Sequence, residues 1–148
     1  MRLEFKRVRP QEDADLPVPA WQTAGASGLD LAAGVREPLT LAPGEIALVP
    51  TGWAMALPTG YEGQIRPRSG LALKKGLTLV NTPGTIDCDY RGEVQLPMIN
   101  LGPAPVTILR GDRLAQLVVA KVERPELAVV ETLAPTDRGA GGFGSTGP

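Results

Sequence analysis

The segment Asn81–Glu93, Asn-Thr-Pro-Gly-Thr-Ile-Asp-Cys-Asp-Tyr-Arg-Gly-Glu, carries the most information about the fold of this chain. Its Pro83-Gly84 step is a strong turn signal, which predicts a short β segment on either side. If the second segment is extended, every second residue is charged and points to one side: Asp87, Asp89, Arg91 and Glu93. Because Asp is disfavoured in strands, this pattern indicates either a solvated sheet edge protected by charge or a functional site.

The length and composition predict one globular domain. The chain has 148 residues, of which 43% are hydrophobic and 21% are charged, enough for one core and too few for two. The 18 glycines and 15 prolines interrupt the chain every few residues, which favours short strands over helices. The net charge of −1 gives no indication of a nucleic-acid or membrane partner, and we expect neither.

The chain contains no histidine and one cysteine. It therefore lacks the commonest general base and metal ligand. It also lacks the residues for an internal disulfide or a multi-cysteine zinc site, which fits a reducing compartment. Any chemistry must use carboxylates, hydroxyls, Arg, Lys, backbone amides or a hard cation. No stretch has the length of a signal peptide or a membrane span, so a cytoplasmic location is expected.

The spacing of apolar runs and turns predicts an all-β sandwich or barrel. Hairpins are predicted around the turns at 42–44 and 58–60, and one helical turn at Leu71–Lys75, ended by Gly76. Residues 11–26 are expected to form a loop anchored by Trp21. The predicted strands span residues 3–8, 28–32, 39–41, 45–50, 53–57, 61–65, 77–80, 94–99, 106–109, 114–122 and 127–131.

Two further segments are candidate anion sites. Arg66–Gly70 combines two guanidinium groups and a hydroxyl with the start of the predicted helical turn; the alternative is a basic surface loop. Residues 136–148 have almost nothing to bury and are predicted to be a flexible arm. Their glycines could direct amides to phosphate oxygens, and Phe143 could stack on a flat base, although a functionless disordered tail is the alternative.

Taken together, the segments resemble those of the homotrimeric dUTPases, which are deoxyuridine triphosphate nucleotidohydrolases. The resemblance covers nearly the whole chain, in order: Ser27–Leu31, Pro67–Ala72, Asn81–Glu93, Gly111–Gln116 and Arg138–Gly147. It implies a distorted jelly-roll-like barrel of the β-clip type over residues 1–135. It also implies that the arm, residues 136–148, closes over the active site.

The resemblance further implies hydrolysis of dUTP to dUMP and pyrophosphate, limiting uracil in DNA and supplying dUMP for thymidylate synthesis. Asp87 would activate the water that attacks the α-phosphorus in line. Asp30 would anchor, through water, a Mg²⁺ chelated by the triphosphate. Tyr90 would pack beneath deoxyribose, and Phe143 would stack on the base. Asn81 and the hairpin residues Gly84, Thr85 and Ile86 would read uracil. The phosphates and their water network would be held by Arg68, Ser69, Gly70, Gln116, Arg138, Gly144, Ser145 and Thr146.

The expected partners are dUTP and further copies of the chain in a homotrimer with sites at subunit interfaces. One alternative is a dCTP deaminase or deaminase–dUTPase of the same fold. That reaction needs an acid–base group at the pyrimidine C4, where the Asn81 hairpin offers an amide. The other alternative is a non-catalytic nucleotide-binding trimer, which would gain nothing from placing Asp87 beside phosphates.

Overall fold

The computed structural model of the chain describes residues 1–142, and in this range it contains ten strands and one short helix. Helix α1 spans Ser69–Lys75. The strands are β1 Glu4–Arg7, β2 Leu29–Ala32, β3 Leu39–Leu41, β4 Ile46–Ala56, β5 Tyr61–Pro67, β6 Leu77–Leu79, β7 Gly84–Ile86, β8 Glu93–Asn100, β9 Val106–Ile108 and β10 Arg113–Lys121.

The strands form three antiparallel sheets. The first has the order β1-β4-β8-β6, the second β2-β10-β5-β7, and the third pairs β3 with β9. Alternating side chains of the two larger sheets contribute to one core, which includes the fully buried Leu96 and Met98 of β8 and Leu31 and Leu117 of the second sheet. The predicted all-β, jelly-roll-like fold is confirmed, with sheets that do not close into a complete barrel.

Both predicted hairpins are wrong, although their turns exist. Gly44 and Gly60 occupy the turns with φ of 80° and 84°, where a glycine avoids the steric cost of a left-handed conformation. β3 pairs with β9, however, and β4 pairs with β1 and β8. At each turn the chain passes to another sheet. The hairpin prediction was wrong because a tight turn reverses the direction of the chain but does not specify which strand accepts the next ladder of hydrogen bonds.

Helix α1 confirms the predicted helical turn and begins two residues earlier than expected. It ends at Gly76, whose φ is 66°. A Cβ on Gly76 would lie 2.3 Å from the Gly102 nitrogen, and one on Gly102 would lie 2.3 Å from the Lys75 oxygen. This backbone contact, with the Leu101 amide donating to the Gly76 oxygen at 2.9 Å, fixes α1 against the end of β8.

Two other predictions are wrong. Residues 127–131 form no strand, and Leu127 and Val129 are fully solvent-exposed. Within residues 1–142, this segment finds no sheet edge to pair with. Trp21 is 59% exposed, and the loop is anchored instead by Leu16 and Asp13, each 2% exposed. In the part of the chain that the structure describes, no helix has the length and apolarity to cross a membrane.

Candidate functional site

Asp30, Gln116 and Arg68 come together at one end of the second sheet. Asp30 on β2 lies opposite Gln116 on β10, and Gln116 lies opposite Arg66 on β5. Arg68 directly follows β5 and precedes α1. The antiparallel register therefore places the predicted metal-anchoring carboxylate beside two of the predicted phosphate-binding side chains. We call Asp30, Arg68, Gln116 and Arg113 the carboxylate–arginine cluster.

The Asp30 carboxylate is held by two guanidinium groups. Its Oδ2 is 3.0 Å from Arg113 Nη1, its Oδ1 is 3.6 Å from Arg68 Nε, and its side chain is 12% exposed. Arg68 also donates from Nη1 to the Arg113 backbone oxygen at 2.8 Å. The sequence did not single out Arg113 as a partner of Asp30, because the two residues are remote in the chain and only the register of β2 and β10 brings them together.

The residues around Asp30 fit a water-mediated cation better than a directly bound one. No group of three or more acidic or cysteine side chains that could hold a metal occurs within residues 1–142. Mg²⁺ commonly keeps several waters and takes one or two carboxylates together with substrate phosphates. The single carboxylate of Asp30 matches that donor set if the phosphates of a substrate supply the direct ligands and Asp30 contacts the ion through water.

Gly28 leaves the space that the Gln116 side chain occupies. A Cβ on Gly28 would lie 2.7 Å from Gln116 Oε1 and 3.0 Å from its Cβ. On its other side, the Gln116 amide donates from Nε2 to the Pro67 oxygen at 3.2 Å. The lack of a side chain at Gly28 therefore allows Gln116 to occupy this position, a role that the sequence pattern alone does not reveal.

Ser69 and Gly70 form the exposed start of α1. Arg68 occupies the N-cap position in an extended conformation, and its oxygen accepts hydrogen bonds from the amides of Leu71 and Ala72, both at 3.1 Å. A Cβ on Gly70 would meet no atom within 4 Å. The backbone at Gly70 is therefore open to approach by a ligand.

Strand β7 forms the edge of the second sheet and carries the predicted uracil-reading residues. Gly84 pairs with Ile65, Thr85 with Gln64 and Ile86 with Gly63. Asn81 precedes β7 across a cis peptide bond at Thr82–Pro83. A Cβ on Gly84 would lie 3.2 Å from Asn81 Nδ2, so Gly84 allows the Asn81 amide to lie against the strand backbone.

The extended segment predicted after Ile86 is wrong, because residues 87–92 form a turn. The Tyr90 amide donates to the Asp87 oxygen at 3.1 Å, and Arg91 Nη1 donates to the oxygens of Cys88 and Tyr90 at 2.7 and 2.8 Å. These local bonds replace those that a strand would make. The charged side chains consequently do not line one face.

Asp87 is exposed at the rim of a cavity of about 170 Å³ that Thr85, Tyr90 and Gln95 also line. Among the hydrogen bonds and ion pairs within residues 1–142, none involves its carboxylate. Asp30 and Glu93, by contrast, are both engaged by arginine. Of the two acidic residues that line this cavity, Asp87 and Glu93, Asp87 is therefore the one available to a ligand or a water molecule.

Tyr90 is held by the end of its own turn. Its hydroxyl donates to the Glu93 oxygen at 3.0 Å, and 44% of the residue is exposed. A Cβ on Gly92 would lie 2.3 Å from the Tyr90 hydroxyl oxygen. The ring therefore rests on the backbone of Gly92, which cannot carry a side chain without moving it.

Glu93 connects the turn to a network of charges that sequence reasoning missed. Arg9 donates to both Glu93 carboxylate oxygens at 2.8 and 3.0 Å, and the Gly52 amide donates at 2.8 Å. Burial raises the pKa of Glu93, but the hydrogen bonds from Arg9 and Gly52 outweigh it and hold the pKa below 4.5. A second arginine, Arg110, donates to Asp15 at 2.7 Å and thereby lowers the Asp15 pKa to about 2.

The carboxylate–arginine cluster and Asp87 lie at opposite ends of β5. Ile86, next to Asp87, pairs with Gly63, whereas Arg68 follows the far end of the strand. At about 3.3 Å per residue, the five steps from Gly63 to Arg68 span roughly 16 Å. A general base must come within hydrogen-bond reach of its water. Within one copy of the chain, Asp87 and the predicted phosphate-binding residues therefore lie too far apart to contact the same phosphate group.

Arg138, the predicted arm residue that the structure describes, bonds to its own turn. Its Nε donates to the Gly141 oxygen at 2.8 Å, and the residue is exposed. None of its hydrogen bonds within the described range reaches the carboxylate–arginine cluster or Asp87. The remaining predicted arm residues lie outside the described range: Phe143, Gly144, Ser145 and Thr146.

Comparison with known proteins gives one consistent result. The dUTPase family model matches residues 14–147. The deoxyuridine 5′-triphosphate nucleotidohydrolase of Desulfotalea psychrophila is 56% identical over 146 residues, covering 99% of this chain and 97% of the relative. The protein of the same name from Caldanaerobacter subterraneus subsp. tengcongensis is 54% identical over 147 residues, covering 99% of each chain.

Solved structures agree with the sequence relatives. The dUTPase of Staphylococcus bacteriophage 80alpha with dUpNHpp superposes with a TM-score of 0.87 at 26% identity, covering 99% of each chain. The dUTPase of phage phi11 of S. aureus, described with a structural Mg(II) ion, gives a TM-score of 0.78 at 25% identity. That match covers 89% of this chain and 98% of the phage protein.

Proposed function

Since this chain belongs to the dUTPase family, we propose that it hydrolyses dUTP to dUMP and pyrophosphate with Asp87 as general base. Family membership makes the chain a deoxyuridine triphosphate nucleotidohydrolase. The observation that carries the assignment of the base is the exposed Asp87 carboxylate, which lies at a cavity rim while Asp30 and Glu93 are held by arginines.

In the proposed reaction, Asp87 holds a water molecule and accepts its proton as the oxygen attacks the α-phosphorus. Pyrophosphate leaves on the opposite side, and dUMP remains. A positioned base contributes about 10²–10⁴-fold to such a step. Alignment of the water and neutralisation of the phosphate charges supply the rest of the rate enhancement, and neither requires histidine.

The carboxylate–arginine cluster binds the triphosphate in this proposal. Arg68 is 3.6 Å from Asp30, a loose ion pair that an incoming phosphate can replace with a stronger charge-assisted bond. Ser69 and the open backbone of Gly70 add donors at the start of α1. Asp30 and the Gln116 amide would hold waters of a Mg²⁺, which when bound would supply neutralisation of the phosphate charge.

The turn around Asp87 recognises the nucleoside. The Asn81 amide and the polar backbone of β7 can form hydrogen bonds with the edge of uracil, and the closeness of Asn81 to Gly84 limits the space for the methyl group of thymine. The Tyr90 ring packs beneath deoxyribose and excludes a 2′-hydroxyl. This selectivity is steric, and it depends on where the ring is held.

A homotrimer with shared sites completes the proposal. The roughly 16 Å from Gly63, which pairs with the residue next to Asp87, to Arg68 is the reason why Arg68 of one copy would serve the Asp87 of another. The exposed apolar residues of the segment 127–133, among them Leu127, Val129 and Leu133, favour a role in contacts between copies. Residues 136–148 would act as the arm over the site, with Arg138 and Phe143 against the ligand, and residues 1–135 as the domain that carries it.

Release of pyrophosphate from dUTP, dCTP, dTTP and UTP in the presence of Mg²⁺ tests the proposed activity. Turnover of dUTP alone is the expected result. Equal turnover of dUTP, dCTP and dTTP would overturn uracil specificity, ammonia release from dCTP would identify the deaminase alternative, and binding of dUTP without turnover would identify the non-catalytic one. A contribution to thymidylate synthesis and a cytoplasmic location remain predictions.

A further inference from the structure

The position of the Tyr90 ring depends on Glu93. Tyr90 is 44% exposed, and its hydroxyl donates to the Glu93 backbone oxygen at 3.0 Å. Beneath it, Gly92 leaves room for the ring only because it has no Cβ. Because these two contacts hold the hydroxyl end of the ring, we expect a displacement of Glu93 or Gly92 to move Tyr90.

The Glu93 side chain is held by three hydrogen bonds. Arg9 binds its carboxylate with two hydrogen bonds of 2.8 and 3.0 Å, and the Gly52 amide adds a third of 2.8 Å. Bidentate arginine–carboxylate pairs restrict orientation as well as distance. The Glu93 side chain is only 13% exposed, so water competes weakly for these bonds.

An irregularity in β4 provides the Gly52 contact. Pro50 pairs with Gln95 and Ala54 with Glu93, so residues 51–53 are all opposite the single residue between these two partners. Such bulges redirect the backbone groups of a strand. Here the Gly52 amide turns toward the Glu93 carboxylate, while the buried Thr51 hydroxyl donates to the Val94 oxygen at 2.6 Å.

Arg9 is itself anchored to the body of the protein. Its Nε lies 3.0 Å from Oδ2 of Asp13, a side chain that is 2% exposed. The geometry of that contact does not make a hydrogen bond, but the two opposite charges attract. Asp13 also contacts Arg110 at 3.2 Å. The connection from Asp13 through Arg9 and Glu93 to Tyr90 is therefore continuous.

We infer that Arg9 is a positioning residue for sugar selectivity: by holding Glu93, it fixes the Tyr90 ring at the place where the ring excludes a 2′-hydroxyl. The inference rests on the proposed role of Tyr90 beneath deoxyribose. Arg9 acts through Glu93 and needs no contact with the nucleotide.

Fluorine NMR tests the positioning step without any substrate. The chain has two tyrosines, so the protein labelled with 3-fluorotyrosine has one resonance from Tyr61 and one from Tyr90, which the Tyr61→Phe variant distinguishes. Arg9→Met should shift or broaden the Tyr90 resonance and leave that of Tyr61 unchanged. Arg2→Met is the matched control, since it removes an exposed arginine paired with Glu4. An unchanged Tyr90 resonance in Arg9→Met overturns the inference.

Kinetics test the consequence for selectivity. The ratio of kcat/KM for dUTP to that for UTP should fall by about tenfold in Arg9→Met, the factor expected when one positioned hydrogen bond is lost. Arg9→Lys, which keeps the charge, should recover part of the ratio, and Arg2→Met should retain all of it. A merely structural role would lower both kcat/KM values together and leave their ratio unchanged, and that result overturns the inference.

Two further variants, Glu93→Gln and Tyr90→Ala, distinguish a failure of the inference about Arg9 from a failure of the proposed role of Tyr90. If Arg9→Met fails to fold, Glu93→Gln weakens the same pair while keeping an acceptor for Gly52, and the same two measurements apply. If Tyr90→Ala leaves the dUTP/UTP ratio unchanged, the proposed role of Tyr90 is wrong, and the inference about selectivity fails with it. If Tyr90→Ala lowers the ratio while Arg9→Met and Glu93→Gln do not, only the inference about Arg9 is wrong.

Discussion

Gly28 and Gln116 are packed so closely that a Cβ at position 28 would lie 2.7 Å from Gln116 Oε1. Gly28→Ala should therefore turn the Gln116 amide away from Pro67 and disturb the waters around the triphosphate. We expect kcat/KM for dUTP to fall by about tenfold or more, as for the loss of one hydrogen bond to a charged ligand. Gly25→Ala is the matched control, because its Cβ would meet nothing within 4 Å. Equal activity of the two variants would contradict the role assigned to Gln116.

Asp87→Asn should bind a non-hydrolysable dUTP analogue and lose turnover. The amide cannot take the proton of the attacking water, so the rate should fall by about 10²-fold or more. Calorimetric binding and single-turnover kinetics separate the two effects. Asp89→Asn, an exposed neighbour in the same turn, should retain the rate. A decrease smaller than about threefold in Asp87→Asn would show that another group is the base.

Removal of residues 137–148 should leave the fold and the assembly intact while abolishing most hydrolysis. In the described range, the last strand ends at Lys121, and the residues beyond position 124 are exposed up to position 140, so none of the described residues that the deletion removes is buried. Circular dichroism and the mass in solution check the fold and assembly, and pyrophosphate release checks activity. A truncated protein with full activity would show that the arm has no part in the reaction.

The stability of the protein should decrease in acid as the Arg9–Glu93 pair is lost. The pKa of Glu93 lies below 4.5 in the folded chain, so the unfolded chain binds more protons as the pH falls through that value. The stabilisation by the pair is complete above pH 4.5 and disappears as the pH falls through the folded pKa. Glu93→Gln should cost about 1.5–3 kcal/mol at pH 7, the range for hydrogen bonds to charged groups.

Urea denaturation at a series of pH values measures this contribution of Glu93. The difference in free energy of unfolding between the unmodified chain and Glu93→Gln should shrink as the pH is lowered from neutrality to well below 4.5. A difference that stays constant over this range would mean that Glu93 stabilises the fold by packing and not by its charge.

Local structure was predictable from the sequence wherever neighbouring residues decide it. Gly76 ends α1 as expected, and the turns at 42–44 and 58–60 form where glycine permits them. The pairing of strands was not predictable in this way, because it depends on which apolar faces meet. The segment after Ile86 shows the same limit: its alternation suggested a strand, but bonds from Arg91 to nearby backbone oxygens favour a turn.

In the candidate site, several residues predicted from the sequence lie together in the structure, but the contacts that hold them in place were not predictable. Asp30, Arg68 and Gln116 were expected to act together, and the structure brings them together. The contact between Arg9 and Glu93 joins residues 84 positions apart, and nothing in either local sequence marks it. Gly28 and Gly92 are similar cases, since the importance of a missing side chain is visible only once its neighbour is placed.

The location of Asp87 and Arg68 at opposite ends of β5 has a genetic consequence if neighbouring copies share a site. Asp87→Asn and Arg68→Ala chains, each inactive alone, would regain partial activity when unfolded together and refolded as mixed assemblies, because some sites would unite an intact Asp87 with an intact Arg68. By the same reasoning, a cell that produces a chain with both substitutions beside the normal chain would lose more activity than the share of defective chains, because a site is intact only when both contributing copies are normal.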